Sequence, residues 1–100
     1  MNIIICGAGK VGFSISKQLS AQGHSVTVID QSSEDIKKIN DTQDVKGIVV
    51  RASLPTVLEN AGAEKADMII AVTRNDETNM IVCQLASTLF NVSKKIARIR

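Results

Sequence analysis

The sequence has almost no aromatic residues, with two Phe and neither Tyr nor Trp. Proteins that bind single-stranded nucleic acids stack the bases on aromatic rings, so this composition argues against such a module. The formal net charge of +2 is also too small for a nucleic-acid footprint, and the basic residues are not gathered on one helix. We therefore expect no nucleic-acid partner.

Long apolar runs and paired cysteines are absent as well. No apolar run approaches the ~18 residues that a membrane-spanning helix needs, and no signal-peptide pattern is present, so we expect an intracellular chain. Cys6 and Cys83 form no C-x-x-C motif, which leaves neither a disulfide nor a zinc signature. Both are predicted to be buried, small apolar side chains.

The clearest pattern that is present lies at the start of the chain, where an apolar run leads directly into a glycine motif. Residues 3–6 read Ile-Ile-Ile-Cys, as in a strand buried on both faces, and a G-x-G-x-x-G follows before an amphipathic helix. In this motif Gly7 allows a tight turn, Gly9 leaves room for a pyrophosphate, and Gly12 lets helix and strand pack closely. The helix N-terminus adds free N–H groups and a partial positive charge. The predicted binding residues of this loop are Gly7, Ala8, Gly9, Lys10, Val11 and Gly12.

An acidic residue ends the second apolar run, 18 residues after Gly12. At the end of a second strand, Asp30 would accept hydrogen bonds from ribose hydroxyls and repel a 2′-phosphate. This favours NAD(H) or a plain adenine nucleotide over NADP(H). The alternative is that Asp30 only caps the next helix.

Apolar runs alternate with amphipathic segments along the whole chain. The predicted strands are Asn2–Cys6, Ser25–Ile29, Val45–Val50, Met68–Val72 and Lys94–Arg100. The predicted helices are Lys10–Gln22, a short segment capped by Ser32 or Ser33, a segment from a Ser53 cap to Gly62, and Glu77–Phe90. The polar residues 41–44 are expected to form a turn. This alternation predicts an α/β fold, a doubly wound parallel sheet of Rossmann type with helices on both faces.

We expect residues 1–100 to form a single nucleotide-binding domain. A domain of this class continues beyond a fifth strand, so this one is expected to lack its last strand and helix. The chain is therefore expected to be the N-terminal part of a longer protein, or one cut at Arg100.

Ligands of open parallel sheets bind beyond the carboxyl ends of the strands, where the strand order reverses. Besides the glycine loop, the loops that meet there supply the candidates Asp30, Gln31, Arg51, Ala52, Ser53, Thr73, Arg74, Asn75, Arg98 and Arg100. Arg98 and Arg100 face the same way on the last strand, so both could reach phosphates. A solvated, charged edge strand would show the same pattern.

Residues for proton transfer are scarce. A dehydrogenase needs a proton donor or base near the nicotinamide, but the chain has no Tyr and no Cys in a predicted site loop. Its single histidine, His24, follows a glycine turn far from those loops. We therefore expect no catalytic residue and no metal ligand, and a nucleotide that is bound without being turned over.

Several segments resemble the RCK/KTN (regulator of potassium conductance) N-terminal domain. They are residues 2–12, the Val28-Ile29-Asp30 triplet and residues 58–73. The most specific block is residues 61–80, AGAEKADMIIAVTRNDETNM. Residues 75–80 and Cys83-Gln84 are most similar to the peripheral nucleotide-binding subunits of bacterial potassium-uptake systems. One departure is Val50, which stands where the family usually has glycine and precedes Arg51. A β-branched residue does not readily take a positive φ, so we expect the loop beside the adenine to be displaced.

The resemblance implies a non-enzymatic regulator that binds NAD(H), or else ATP or ADP, in the crevice of the sheet. Its implied partners are an integral-membrane potassium channel subunit and further copies of the domain, arranged as dimers within a ring. It also implies a cytoplasmic protein, peripheral on the inner face of the cell membrane. The alternative is the cofactor-binding half of an NAD-dependent dehydrogenase whose catalytic domain lies beyond residue 100.

Overall fold

The computed structural model describes residues 1–50 and 55–98, and the elements within these ranges surround one parallel sheet. The strands are β1 (Asn2–Cys6), β2 (Ser25–Asp30), β3 (Lys46–Val49), β4 (Met68–Ala71) and β5 (Lys94–Ala97). The helices are α1 (Lys10–Ala21), α2 (Ser33–Thr42), α3 (Pro55–Asn60) and α4 (Asp76–Thr88), with a 3₁₀ turn at Ala63–Lys65.

The strand order in the sheet is β3-β2-β1-β4-β5, and every neighbouring pair is parallel. From β1 the chain moves outward to β3, then returns to place β4 on the other side of β1. The order therefore reverses between β1 and β4. This topology confirms the predicted doubly wound α/β fold and puts the switch point beside the glycine loop.

Both faces of the sheet are covered by helices, which explains the continuous apolar run in β1. Ile3 and Ile5 belong to a core cluster with residues of α1 and α2, whereas Ile4 and Cys6 belong to a second cluster with residues of α3 and α4. Successive side chains of a strand point to opposite faces, so alternate residues of the run pack into the two layers.

Some predicted boundaries are wrong. Asp41 and Thr42, expected in a turn, complete the last turn of α2, where Lys37 donates to Asp41 at 2.9 Å and Thr42 donates to the carbonyl of Lys38 at 2.7 Å. β3 is shorter than the predicted residues 45–50. α4 begins one residue earlier than predicted, because the Asn75 side chain caps it by accepting from the Thr78 N–H at 2.9 Å.

α4 buries Asn79, Val82 and Ala86 on one face and exposes Met80 and Ile81 on the other. Cys83 and Leu85 are half-buried and pack against the core cluster that contains Val82 and Ala86. None of the helices in residues 1–50 and 55–98 combines the length and the apolar character required to cross a membrane.

Candidate functional site

A cleft of about 860 Å³ lies at the carboxyl edge of the sheet, above the switch point between β1 and β4. This volume is in the range of small-molecule binding sites. Its lining comes from the loops that follow all five strands and from the first turns of the next helices. The lining residues are Gly7, Gly9, Lys10, Val11, Ile29, Asp30, Gln31, Ser32, Asp35, Val50, Val72, Thr73, Arg74, Asn75, Thr78 and Arg98.

Most of the residues predicted from the sequence lie on this cleft. Ala8 and Gly12 are buried residues of the glycine loop and are not part of the lining, while Arg51, Ala52, Ser53 and Arg100 lie outside the described residues. Sequence reasoning missed Asp35 and Thr78. A usable signal existed for both, because each is in the first turn of a helix that directly follows a site loop.

The glycine loop is built without side chains for three different reasons. Gly7 has a φ of +119°, and a Cβ there would lie 2.7 Å from the carbonyl oxygen of Val72. A Cβ at Gly12 would overlap the Gly7 carbonyl, so α1 packs directly against the loop. A Cβ at Gly9 would meet no other described atom within 4 Å. The space next to Gly9 is therefore open to a ligand.

The N-terminus of α1 differs from those of α2 and α4. Its N-cap is Gly9, which has no side chain, and its first turn contains no acidic residue. By contrast, a side-chain oxygen of Ser32 caps α2 and one of Asn75 caps α4, and both helices have acidic residues in their first turns. The positive end of the α1 dipole is thus left for an external anion.

Asp30 joins the glycine loop to the start of α2. Its carboxylate accepts from the Ala8 N–H at 2.7 Å and from the Ser32 N–H at 2.8 Å. It is not the N-cap of α2, because that position belongs to Ser32, whose hydroxyl accepts from the Asp35 N–H at 3.2 Å. Each carboxylate oxygen retains a further lone pair that can accept from a ribose hydroxyl.

Asp35 contributes a second carboxylate to the same side of the cleft. A Ser-x-x-Asp sequence at a helix start can form a capping box, in which the acid binds the N–H of the Ser. In this protein the Ser32 N–H is already bonded to Asp30. The half-buried Asp35 carboxylate lines the cleft and has no hydrogen-bond partner among the described residues.

The opposite wall comes from the loop after β4 and the end of β5. Thr73, Arg74 and Arg98 line it. The Arg98 N–H donates to the Ala71 carbonyl at 2.9 Å, which continues the β4–β5 ladder up to the cleft. The cleft thus places carboxylates on one side and guanidinium groups on the other.

Val50 does not adopt the strained conformation that its family position would require. Asn91 is the one non-glycine residue with a positive φ in residues 1–50 and 55–98. Val50 instead donates its N–H to the Asp30 carbonyl at 2.9 Å and lines the cleft. The expected displacement of the next loop falls on residues 51–54, outside the described residues.

The two cysteines and the single histidine are not among the residues that line the cleft. Burial, with smaller contributions from the nearby Cys83 and Asp30, raises the pKa of the fully buried Cys6 thiol to about 12. Burial also raises the pKa of the half-buried Cys83, while Lys95 opposes that rise. His24 is at the amino end of β2, where its Nδ1 lies 3.1 Å from the N-terminal amine. Within the described ranges, no group of three His, Cys, Asp or Glu could hold a metal ion.

Comparison with known proteins agrees with this architecture. Residues 3–100 match the family model of the TrkA-N domain. The Trk system potassium uptake protein TrkA of Azorhizobium caulinodans is 49% identical over all 100 residues, which span 22% of its length.

Two solved structures share the fold. The Kef CTD of Shewanella denitrificans in its AMP-bound form superposes with a TM-score of 0.81 at 26% identity, over 96% of this chain and 57% of that chain. The NAD(P)-binding domain of an exopolyphosphatase-related protein from Archaeoglobus fulgidus has a TM-score of 0.80 at 18% identity, over 92% and 68%. These findings confirm the resemblance seen in the sequence, and the chain belongs to the TrkA-N domain family.

Proposed function

We propose that this chain is a nucleotide-sensing regulatory domain that binds NAD(H), or else ATP or ADP, and thereby controls potassium uptake. The observation that carries the proposal is the open space beside Gly9 at an α1 N-terminus without an acidic residue. A pyrophosphate placed there would face backbone N–H groups and the positive end of the helix dipole.

The acidic side of the cleft suits an adenosine ribose. Asp30 and Asp35 are both half-buried and both line this side. Two carboxylates can accept hydrogen bonds from the ribose hydroxyls, but they would repel a 2′-phosphate. The preferred ligand is therefore NAD(H) or an unmodified adenine nucleotide, with NADP(H) weaker.

The chemistry around the cleft supports a regulator over the alternative, the cofactor-binding half of a dehydrogenase. The chain has no Tyr, and His24 lies at the opposite edge of the sheet from the cleft. The raised pKa of Cys6 keeps its thiol protonated at neutral pH, which disfavours nucleophilic catalysis. A bound nucleotide would act through its affinity for one arrangement of the domains over another, because equal affinity for both shifts nothing.

The potassium-uptake role comes from relatives that carry the name Trk system potassium uptake protein TrkA. By that analogy the domain acts on an integral-membrane potassium channel subunit, as a homo-oligomer of dimers within a ring. Its place would then be cytoplasmic, peripheral on the inner face of the cell membrane.

Calorimetric titration of the purified chain tests the nucleotide part. We expect saturable binding of NADH, NAD⁺, ADP or ATP, and weaker binding of NADPH. NADPH binding as tight as NADH binding would contradict the assignment of the two carboxylates. Steady oxidation of NADH with a small substrate would favour the dehydrogenase alternative.

The regulatory part of the proposal is tested by measuring potassium uptake in cells. Disruption of the gene that encodes this chain is expected to lower potassium uptake, measured as ⁸⁶Rb⁺ influx, and reintroduction of the gene should restore it. A Gly9→Val allele is compared with the disruption, because this variant is expected to lose nucleotide binding while the folded protein is still present. Influx that is unchanged by both disruption and the Gly9→Val allele would refute the role.

A further inference from the structure

Asn79, in the first turns of α4, is one of two polar residues whose side chains are fully buried within the described residues, and Ser16 is the other. A buried amide costs free energy unless its donors and acceptors are paired, so each partner of Asn79 has consequences for the fold. Ser16 lies in α1 and bonds to Phe13 and Gln43, away from the cleft. Asn79 bonds to two segments that form the cleft wall.

The hydrogen-bonding capacity of Asn79 is completely used. Its Oδ1 accepts from the Thr73 N–H at 2.9 Å and from the Thr73 hydroxyl at 2.7 Å. Its Nδ2 donates to the Thr73 carbonyl at 3.2 Å and to the Arg98 carbonyl at 2.9 Å. One side chain therefore holds the loop after β4 and the end of β5 in a single relative position.

We propose that Asn79 is a positioning residue of the nucleotide site, which acts by fixing Thr73 and Arg98 against each other. The inference rests on the proposed nucleotide-binding function. The sheet alone already holds β5, through the β4–β5 ladder and the Arg98 N–H bond to Ala71. The Asn79 bond adds a constraint at the carbonyl beyond that ladder, where it sets the direction in which the Arg98 side chain enters the cleft.

The fixed position matters because a guanidinium group gains most from hydrogen bonds whose geometry is set before the ligand arrives. Without Asn79, the loop after β4 and the carbonyl of Arg98 would have to be fixed relative to each other when the nucleotide binds. The loss should therefore appear in affinity for phosphate-bearing ligands, and it should depend on the presence of Arg98.

A double-mutant cycle in the purified chain tests this dependence. Asn79→Ala, Arg98→Ala and the double variant are titrated with NADH, and each fraction folded is measured by circular dichroism. We expect Asn79→Ala to weaken NADH binding about tenfold when Arg98 is present. When Arg98 is already Ala, the change in binding free energy caused by Asn79→Ala should be less than half as large. Additive effects of the two substitutions, or unchanged affinity of folded Asn79→Ala, would overturn the proposal.

Two further variants keep the test decisive. Asn79→Asp keeps the volume and the acceptor for the Thr73 N–H and hydroxyl, but it loses the donors to the Thr73 and Arg98 carbonyls. It replaces Asn79→Ala in the cycle if the latter does not fold. Ser16→Ala is the matched control, expected to lower the melting temperature and to leave the NADH affinity within twofold. Failure of the wild type and of Ser16→Ala to bind any nucleotide would overturn the proposed function together with this inference. Normal binding by wild type and both Asn79 variants would overturn this inference alone.

Discussion

The two walls of the cleft present different chemical groups, backbone groups on one side and side-chain groups on the other. The glycine wall consists of Gly7 and Gly9, with Gly12 packed directly behind them, and it presents backbone groups whose positions follow from the chain path. The side-chain wall consists of Thr73, Arg74 and Arg98, two of which carry guanidinium groups. Backbone N–H groups in a packed loop lose little entropy when they bind, whereas a long side chain loses much more. This difference suggests that the glycine wall supplies the phosphate position and the side-chain wall supplies discrimination between nucleotides.

The walls also depend on different support. The glycine wall tolerates no added atom at Gly7 or Gly12, because backbone lies directly against both positions. The side-chain wall depends on the buried amide of Asn79 beneath it. Substitutions in the first wall should therefore act through steric overlap, and those in the second through lost hydrogen bonds.

The largest effect is expected for Gly12→Ala. Its Cβ would overlap the Gly7 carbonyl, so α1 must move away from the loop. We expect a loss of about 3 kcal/mol or more in the free energy of unfolding, together with loss of nucleotide binding. Urea denaturation measures the first and calorimetry the second. Gly9→Ala is the control, and equal stability of the two variants would show that the close packing is not needed.

The next effect separates binding from folding within the same wall. Gly9 has a φ of −71° and open space around it, so Gly9→Val should fold with a melting temperature close to that of the wild type. A branched side chain would occupy the phosphate position, and we expect NADH binding to weaken about 100-fold or more. Normal binding with an unchanged circular dichroism spectrum would place the nucleotide elsewhere.

The glycine wall could be predicted from the sequence, and the support of the side-chain wall could not. Glycine is diagnostic because only particular backbone paths require it, as at Gly7. Asn79 was not predicted as a site residue, because an Asn in a helix reveals nothing about its partners. The available signal was its position on the same helical face as Val82 and Ala86. A buried polar residue at this position needs hydrogen-bond partners, but only the folded structure shows that these are Thr73 and Arg98.

The element types and the parallel, doubly wound sheet were also predictable, because apolar runs and amphipathic segments alternate cleanly. Boundaries were less so. Among residues 1–50 and 55–98, β3 pairs with residues 27–30 of β2 alone, so its ladder covers Lys46–Val49 although Val45 and Val50 extend the apolar run. The end of α2 looked like a turn by composition. Contacts within the helix, such as the one between Lys37 and Asp41, nevertheless accompany its last turn.

An intermediate effect is expected on the side-chain wall. Arg98→Ala removes one guanidinium group but keeps the backbone bonds of residue 98 to Ala71 and Asn79. Loss of charge-assisted hydrogen bonds should weaken NADH binding about tenfold, with a reduced dependence on salt concentration. Titrations at two salt concentrations measure this. Lys94→Ala, at the far end of β5, is the matched control, and an equal loss in that variant would point to a general charge effect.

A smaller effect should appear in nucleotide selectivity. Asp35→Asn removes one of the two carboxylates on the acidic side, and the NADPH affinity is expected to rise about threefold relative to NADH. Glu34→Gln removes the same charge from the same helical turn, but Glu34 is exposed and does not line the cleft. An identical shift in both variants would show that position within the cleft is irrelevant.

The smallest expected effect is on the pH dependence of the free energy of unfolding, and it compares the two cysteines beneath the walls. Cys6 directly precedes the glycine wall, and Cys83 lies on α4, which carries Asn79. Burial raises the Cys6 pKa from 9.0 to about 12, so the folded chain keeps this thiol protonated where the unfolded chain ionises it. The contribution of Cys6 to stability is therefore complete below pH 9 and is lost as the pH rises from 9 towards 12. Between pH 8 and 10, the wild type should lose about 1 kcal/mol more of its free energy of unfolding than Cys6→Ala.

Cys83→Ala should differ less from the wild type, because Cys83 is half-buried and Lys95 opposes the rise of its pKa. Urea denaturation of the three proteins across this range measures both differences, and parallel curves for wild type and Cys6→Ala would mean that the strand below the glycine wall admits water.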